Sequence, residues 1–191
     1  QKRAFKTWFA FHLALCVATG KTSGLIKPIR KGAVLIIEEE GGKAATKQRF
    51  LMLCNSLGIN PKSLTNIWFA HRQQVKLDAE IWRKKIVSLV NEIKPVVVIY
   101  DAWTYAHTGD ENKHADKIPV IDTMQAVRAQ SATFVMLAHL DKVRGENRRS
   151  DIDTQIRGSS IAANAFDTHL ALRRYKMEQA HIDLYARHRD A

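Results

Sequence analysis

The sequence feature that most constrains the fold is the run PVVVIYD at residues 95–101, in which five apolar residues stand between Pro95 and Asp101. A short apolar run bounded in this way is typical of a strand that is buried on both faces of a sheet. Similar runs recur at residues 33–40, 66–71 and 132–139. Segments with helical periodicity separate them, and this alternation predicts a mostly parallel sheet with helices on both faces.

The helical segments are amphipathic and lie between the predicted strands. We expect them to begin at Lys6 and then to cover residues 43–58, 78–94 and 113–131. Asp78 is the predicted N-cap of the third helix. Near the end of the sequence, residues 168–175 and 181–189 alternate in polarity and flank a short polar turn, which predicts an antiparallel hairpin. The predicted fold class is therefore α/β.

Length and composition favour one globular domain over residues 1–191. No apolar run approaches the roughly 18 residues that a membrane span needs, and Cys16 and Cys54 lie isolated in apolar helical patterns. Buried, reduced thiols are the interpretation, and they predict a cytoplasmic protein. The net charge of +11 favours a polyanionic partner.

Polar side chains follow the predicted strands at the positions where ligands bind in open parallel sheets, beyond the carboxyl ends. They are Glu38, Glu39, Glu40, His71, Asp101 and His139. Asp101 could support Mg²⁺, although a polar strand end is the simpler reading. Glu40 could activate a water molecule or belong to a solvated acidic cluster. His139 could contact a γ-phosphate or be structural.

Lys6 and Thr7 open the first helix in the order of the second half of a phosphate-binding P-loop, G-x-x-x-x-G-K-[ST]. In such a loop, backbone N–H groups at a helix N-terminus surround a phosphate, the lysine reaches the outer phosphates, and the hydroxyl ligates Mg²⁺. Phe5 stands where the motif has its second glycine. An ordinary N-cap Thr7 on a core helix is the alternative.

With these segments in order, the chain resembles the RecA-like P-loop ATPases of the hexameric replicative helicase group, in particular the RepA-type branch. The matching segments are KTWFAFHLALCVATGK, AVLIIEEEGG, VVVIYDAW, GDEN (109–112), VMLAHLDK (135–142) and IRGSS (156–160). The resemblance implies an ATP-dependent helicase core that moves on single-stranded DNA as a hexameric ring, with ATP and Mg²⁺ as cofactors.

The resemblance also implies roles for individual residues. Nucleotide binding falls on Arg3, Ala4, Phe5, Lys6, Thr7 and Trp8. Thr7 and Asp101 would hold the metal, while Glu40 would be the catalytic glutamate and His139 the γ-phosphate sensor. Arg187 and Arg189 fall where a Lys-x-Arg reaches the neighbouring subunit's ATP, with Arg173 and Arg174 as an alternative source. Channel-lining cations that track DNA phosphates would be Lys142, Arg144, Arg148, Arg149 and Arg157.

Two departures from the family pattern leave other functions open. Phe5 adds a Cβ where a glycine is usual, and some members of this branch resemble the chain in having an aromatic there. The strand expected ahead of the P-loop is missing from the sequence, which predicts a truncated or incompletely represented chain. The alternatives are a nucleotide-dependent DNA-binding regulator or recombination protein without unwinding activity, and a degenerate relative that acts only as an interaction module.

Overall fold

A computed structural model of the chain describes residues 5–110, 113, 115–139, 165–174 and 182–188. Its main body is a sheet of four parallel strands in the order β2-β1-β3-β4. The strands are β1 (Val34–Glu38), β2 (Ile67–His71), β3 (Val97–Asp101) and β4 (Thr133–Leu137). This sheet confirms the four strands and the parallel α/β arrangement predicted from the apolar runs.

Four helices cover the two faces of the sheet, as predicted. They are α1 (Lys6–Thr19), α2 (Lys43–Ser56), α3 (Glu80–Ile93) and α4 (Ile118–Arg128). Because side chains alternate along a strand, Val34 and Ile36 of β1 pack with α1, whereas Leu35 and Ile37 face the core beneath α3 and α4. Both central strands are buried along their whole length, which explains why their sequences are continuously apolar.

The predicted C-terminal hairpin is also confirmed: its two strands form a second, antiparallel sheet. Strands β5 (Thr168–Arg174) and β6 (Ile182–His188) pair from Thr168 opposite His188 to Arg174 opposite Ile182. With the parallel sheet and its flanking helices, the described residues form an α/β, RecA-like fold. None of their helices combines the length and apolar character that crossing a membrane requires.

Two details of the predicted helices are corrected and a third is refined. Thr7 is not the N-cap of α1, because Phe5 occupies that position. Asp78 does not cap α3: its Oδ2 accepts hydrogen bonds of 2.7 Å from both the backbone N–H and the hydroxyl of Thr108. The predicted helix over residues 113–131 consists of a 3₁₀ turn at Ala115–Lys117 followed by α4. The regular helix begins at Ile118, since Pro119 fits the first turn of a helix, where its missing N–H costs no hydrogen bond.

Register brings the ends of the central strands to one edge of the sheet. Glu38 of β1 is level with Asp101 of β3 on one side and with His71 of β2 on the other. Residues in register in a parallel sheet direct their side chains to the same face, here the face that α1 covers. The predicted convergence of polar side chains at the carboxyl edge is therefore built into the pairing of the strands.

Candidate functional site

The site is assembled where the N-terminus of α1 meets the carboxyl ends of β1, β3 and β4. Phe5 precedes the helix with φ of 57°, the left-handed region that favours glycine, and its side chain is 38% exposed. The first intrahelical bond runs from Phe9 N–H to Phe5 C=O, at 2.9 Å. The earliest N–H groups of a helix have no acceptor within it, and they carry the positive end of its dipole, so this end of α1 is suited to an anion.

Thr7 and Asp101 form the best-defined contact of the site. The Thr7 hydroxyl donates a 2.7 Å hydrogen bond to Oδ2 of Asp101, joining the first turn of α1 to the end of β3. Asp101 is 2% exposed. Burial raises the pKa of its carboxyl to about 6; the Thr7 hydrogen bond opposes this, while the neighbouring Glu40 and Glu38 add to it. A hydroxyl and a carboxylate side by side are the oxygen donors that Mg²⁺ prefers.

Lys6, His139 and Glu40 form a second chain of contacts beside this pair. Lys6 Nζ lies 3.1 Å from Nδ1 of His139, and Nε2 of the same ring lies 3.4 Å from Glu40 Oε2. An ammonium group can only donate, which assigns Nδ1 as the acceptor and leaves the proton on Nε2, directed at Glu40. The predicted lysine, sensor histidine and glutamate are thus brought into one connected group.

Burial disfavours positive charge on both Lys6 and His139. The pKa of Lys6 is lowered by desolvation, and attraction to Glu40 and Asp101 opposes this. The pKa of His139 is also lowered, first by desolvation and then by the nearby Lys6, against the opposing effect of Glu40. A neutral imidazole between a lysine and a glutamate agrees with the hydrogen-bond assignment.

The three consecutive glutamates have three different surroundings. Glu39 faces away from α1, and its carboxylate accepts bonds of 3.0–3.1 Å from the N–H groups of Gln73, Gln74 and Val75. Only Glu40, with a side chain 41% exposed, lies next to His139. Glu39 therefore belongs to the architecture of the loop after β2, and the prediction that singled out Glu40 selects the acid nearest the lysine.

Glu38 was shortlisted from the sequence without a role, and it has the most enclosed position of the three. It is 1% exposed, and its carboxylate accepts hydrogen bonds from the N–H of Gly41 and, at 2.8 Å, from the hydroxyl of Thr46. Nε2 of His71 lies 3.0 Å from Oε2, although without hydrogen-bond alignment. Alternation along the strand was the available signal, since residues 38 and 40 share one face and residue 39 does not.

The remaining predicted residues are only partly described. Trp8 lies half-buried in the first turn of α1, and Arg187 lies on β6 with an exposed side chain. Several predicted residues lie outside the described ranges, and their roles stay predictions: Arg3, Ala4, Lys142, Arg144, Arg148, Arg149, Arg157 and Arg189. The structure thus brings together Lys6, Thr7, Glu40, Asp101 and His139.

The class of protein follows from this geometry: it is a P-loop ATPase with a RecA-like fold. A lysine and a hydroxyl stand at the start of a buried helix, and they face a carboxylate at the end of a strand in a parallel sheet. Residues 1–145 match the AAA_25 family, described as an AAA domain. This match covers more than half of the chain, and the chain belongs to that family of nucleotide-binding ATPases. No curated protein matches the chain.

Proposed function

We propose that this chain is the core of an ATP-dependent DNA helicase or translocase that hydrolyses ATP to move on single-stranded DNA. The observation that carries the proposal is the pair of contacts at the start of α1: Thr7 with Asp101, and Lys6 through His139 to Glu40. These five side chains supply the groups that phosphoryl transfer to water requires: hydrogen-bond donors to the phosphates, ligands for the metal ion, and a group that orients water.

In the proposed mechanism, Lys6 and the first N–H groups of α1 hold the phosphates of ATP. Mg²⁺ would neutralise charge on the outer phosphates when bound, and the oxygens of Thr7 and Asp101 would hold it. A phosphate beside Lys6 competes with His139 for the ammonium group. His139 would then sense the γ-phosphate and transmit this change to Glu40 through the contact of its Nε2–H with the Glu40 carboxylate.

Glu40 acts as the general base in this proposal. Its exposed carboxylate can accept a proton from a water molecule that attacks the γ-phosphate. Arg187 and Arg189 of a neighbouring copy would stabilise the charge that develops on the transferred group, which makes hydrolysis depend on assembly into a ring. The cations of the segment 141–160 would follow the DNA phosphates, since this segment contains no aromatic residue for base stacking.

The test compares ATP hydrolysis by the parent chain and the Glu40→Gln variant, with and without single-stranded DNA. We expect the variant to bind Mg-ATP with parental affinity and to hydrolyse it about 100-fold or more slowly, because only the basic group is lost. Equal rates of hydrolysis would contradict the mechanism. A strand-displacement assay separates a helicase from a DNA-binding regulator, since a regulator would hydrolyse or bind ATP and leave the duplex intact.

A further inference from the structure

The positive charge of the chain is concentrated in its first 77 residues. They contain 13 Lys and Arg residues and only three acids, Glu38, Glu39 and Glu40, whereas residues 78–191 contain 17 cations and 16 acids. Glu38 and Glu39 are buried, and Glu40 contacts His139. The outer surface of the α1–β2 half is therefore supplied with cations and with almost no acids to neutralise them.

Eight of these cations are exposed within the described residues; Arg72 directly follows β2, and the other seven form what we call the basic band. Its members are Lys43 and Lys47 on α2, Lys62 in the loop before β2, and Lys21, Lys27, Arg30 and Lys31 in the loop after α1. Within the described ranges, no member of the band forms a salt bridge. Lys43 follows Gly42 beside the candidate site, and Lys47 lies one turn further along α2, about 6 Å away along the helix axis.

The loops and the end of α2 form one continuous surface. A cavity of about 290 Å³ is lined on one side by Cys16, Thr19 and residues 21–23 and on the other by Ser56, Leu57 and Ile59. Asn66 ties the two loops together, because its Nδ2 donates to the backbone oxygens of Ala18 at 2.8 Å and Gly32 at 3.1 Å. Lys21 thus lies at this junction, and the hydroxyl groups of Thr22 and Ser23 line the cavity next to it.

The chemistry of the band favours a nucleic acid over an anionic membrane. Leu25 and Ile29 are 82% and 105% exposed, but both are confined to the loop after α1. A helix that binds a membrane surface directs an apolar face outward. In α2 the apolar Phe50, Leu53 and Cys54 pack inward, while Lys43 and Lys47 lie outside. Met52, at 53%, is the single large apolar side chain of this helix that is exposed, so α2 has no outward apolar face. Cations spread over a helix and two loops, with hydroxyl groups between them, match a run of phosphates.

We propose that the basic band binds the phosphate backbone of a nucleic acid strand without reading its bases. The loops 20–33 and 57–66 contain no aromatic residue, so stacking on bases is not available there and the contact is electrostatic. None of the band's residues belongs to the candidate ATP site or to the segment 141–160. This inference therefore goes beyond the proposed function, and its test needs no nucleotide.

The experiment measures fluorescence anisotropy of labelled oligothymidine with the full chain in the absence of ATP, over a series of salt concentrations. Two double variants neutralise the band: Lys43→Gln with Lys47→Gln, and Lys27→Gln with Arg30→Gln. The matched control is Lys84→Gln with Lys85→Gln on α3, which removes the same charge from an exposed helix that packs on the other face of the sheet. Each band variant should weaken binding about tenfold at low salt and flatten the salt dependence by roughly one to two units of slope, while the control stays near the parent.

Three outcomes would overturn the inference. Equal losses in band and control variants would mean that net charge alone attracts the DNA. Unchanged DNA binding in both band variants would exclude the band as a contact. Loss of binding to phosphatidylserine vesicles without loss of DNA binding would assign the band to a membrane. The Lys6→Ala variant keeps this test apart from the proposed function, because it should lose ATP binding and retain DNA binding through the band.

Discussion

Asp101 combines two demands that oppose each other. The proposed role as a metal ligand requires an ionised carboxyl, yet Asp101 is almost completely buried, and burial raises its pKa to about 6 from the ordinary value of 3.8. The hydrogen bond from Thr7 recovers part of the cost of the charge. The free protein therefore holds a carboxylate whose charge is disfavoured until a cation is supplied, which is a common property of functional carboxylates.

This position predicts a pH-dependent gain in stability for the Asp101→Asn variant in the absence of Mg²⁺. The folded state retains the Asp101 proton at pH values where the unfolded chain has released it, so the carboxyl lowers parental stability as pH rises from about 4 to about 6. The amide keeps an oxygen for Thr7 and carries no charge. The variant should exceed the parent in free energy of unfolding by roughly 3 kcal/mol near pH 7.5, and by almost nothing near pH 3.5.

Urea denaturation of both proteins at the two pH values measures this difference. A variant that is less stable than the parent at neutral pH would show that the carboxylate is satisfied without a metal. A difference that does not change with pH would show that Asp101 does not titrate in this range.

At the scale of elements, Glu38 joins the end of β1 to the start of α2. Its carboxylate accepts from Gly41 and from Thr46, and the turn that it closes contains Glu40. A Cβ added to Gly41 would lie 3.0 Å from Glu38 Oε1 and from Thr46 Oγ1, so the turn is tightly packed. Glu38 thereby fixes the backbone from which the proposed general base projects.

Two variants of Glu38 should separate its hydrogen bonds from its charge. Glu38→Ala leaves Gly41 N–H and the Thr46 hydroxyl without this acceptor and should cost about 1–3 kcal/mol of stability. Glu38→Gln keeps an oxygen for Gly41 and a polar group for Thr46, and it should keep most of the stability. Thermal denaturation of the two variants measures the effect, and the same loss in both would mean that the turn depends on the charge instead.

The elements themselves could largely be predicted from the sequence, because each follows from a local pattern. The apolar run before Asp101 is typical of a strand buried on both faces, and β1 repeats this pattern, whereas the edge strands β2 and β4 are only partly buried. The predicted helix over residues 113–131 is present as a 3₁₀ turn at Ala115–Lys117 that leads into α4, and the regular helix starts at Ile118 because Pro119 fits its first turn. Asp78 was misassigned because its partner, Thr108, lies 30 residues away in the sequence.

The site was predictable to the extent that it depends on strand ends. Asp101 ends β3, and Glu40 and His139 lie two residues beyond the ends of β1 and β4; parallel pairing brings such ends together. The contact between Lys6 and His139 spans 133 residues and depends on how α1 packs on the sheet, which no local pattern specifies. The different surroundings of Glu38 and Glu39 likewise appear only once β2 and α2 are in place.

At the scale of the whole molecule, the fold separates two regions of opposite chemistry. Acids and polar side chains gather where α1 begins, whereas the cations of the basic band lie at the start of α2 and in the loops after α1 and before β2. A single chain would thus offer one place for ATP and a second surface for a polyanion.

The most direct test of the central claim is equilibrium binding of Mg-ATP by isothermal titration calorimetry. The parent chain is compared with Lys6→Ala and with the control Lys84→Ala, which removes an exposed lysine from α3. We predict saturable binding in the parent and the control, and at least about a tenfold loss of affinity in Lys6→Ala, because a charge-assisted contact to the phosphates is removed. Equal binding by all three proteins, or binding by none, would contradict a P-loop at the start of α1.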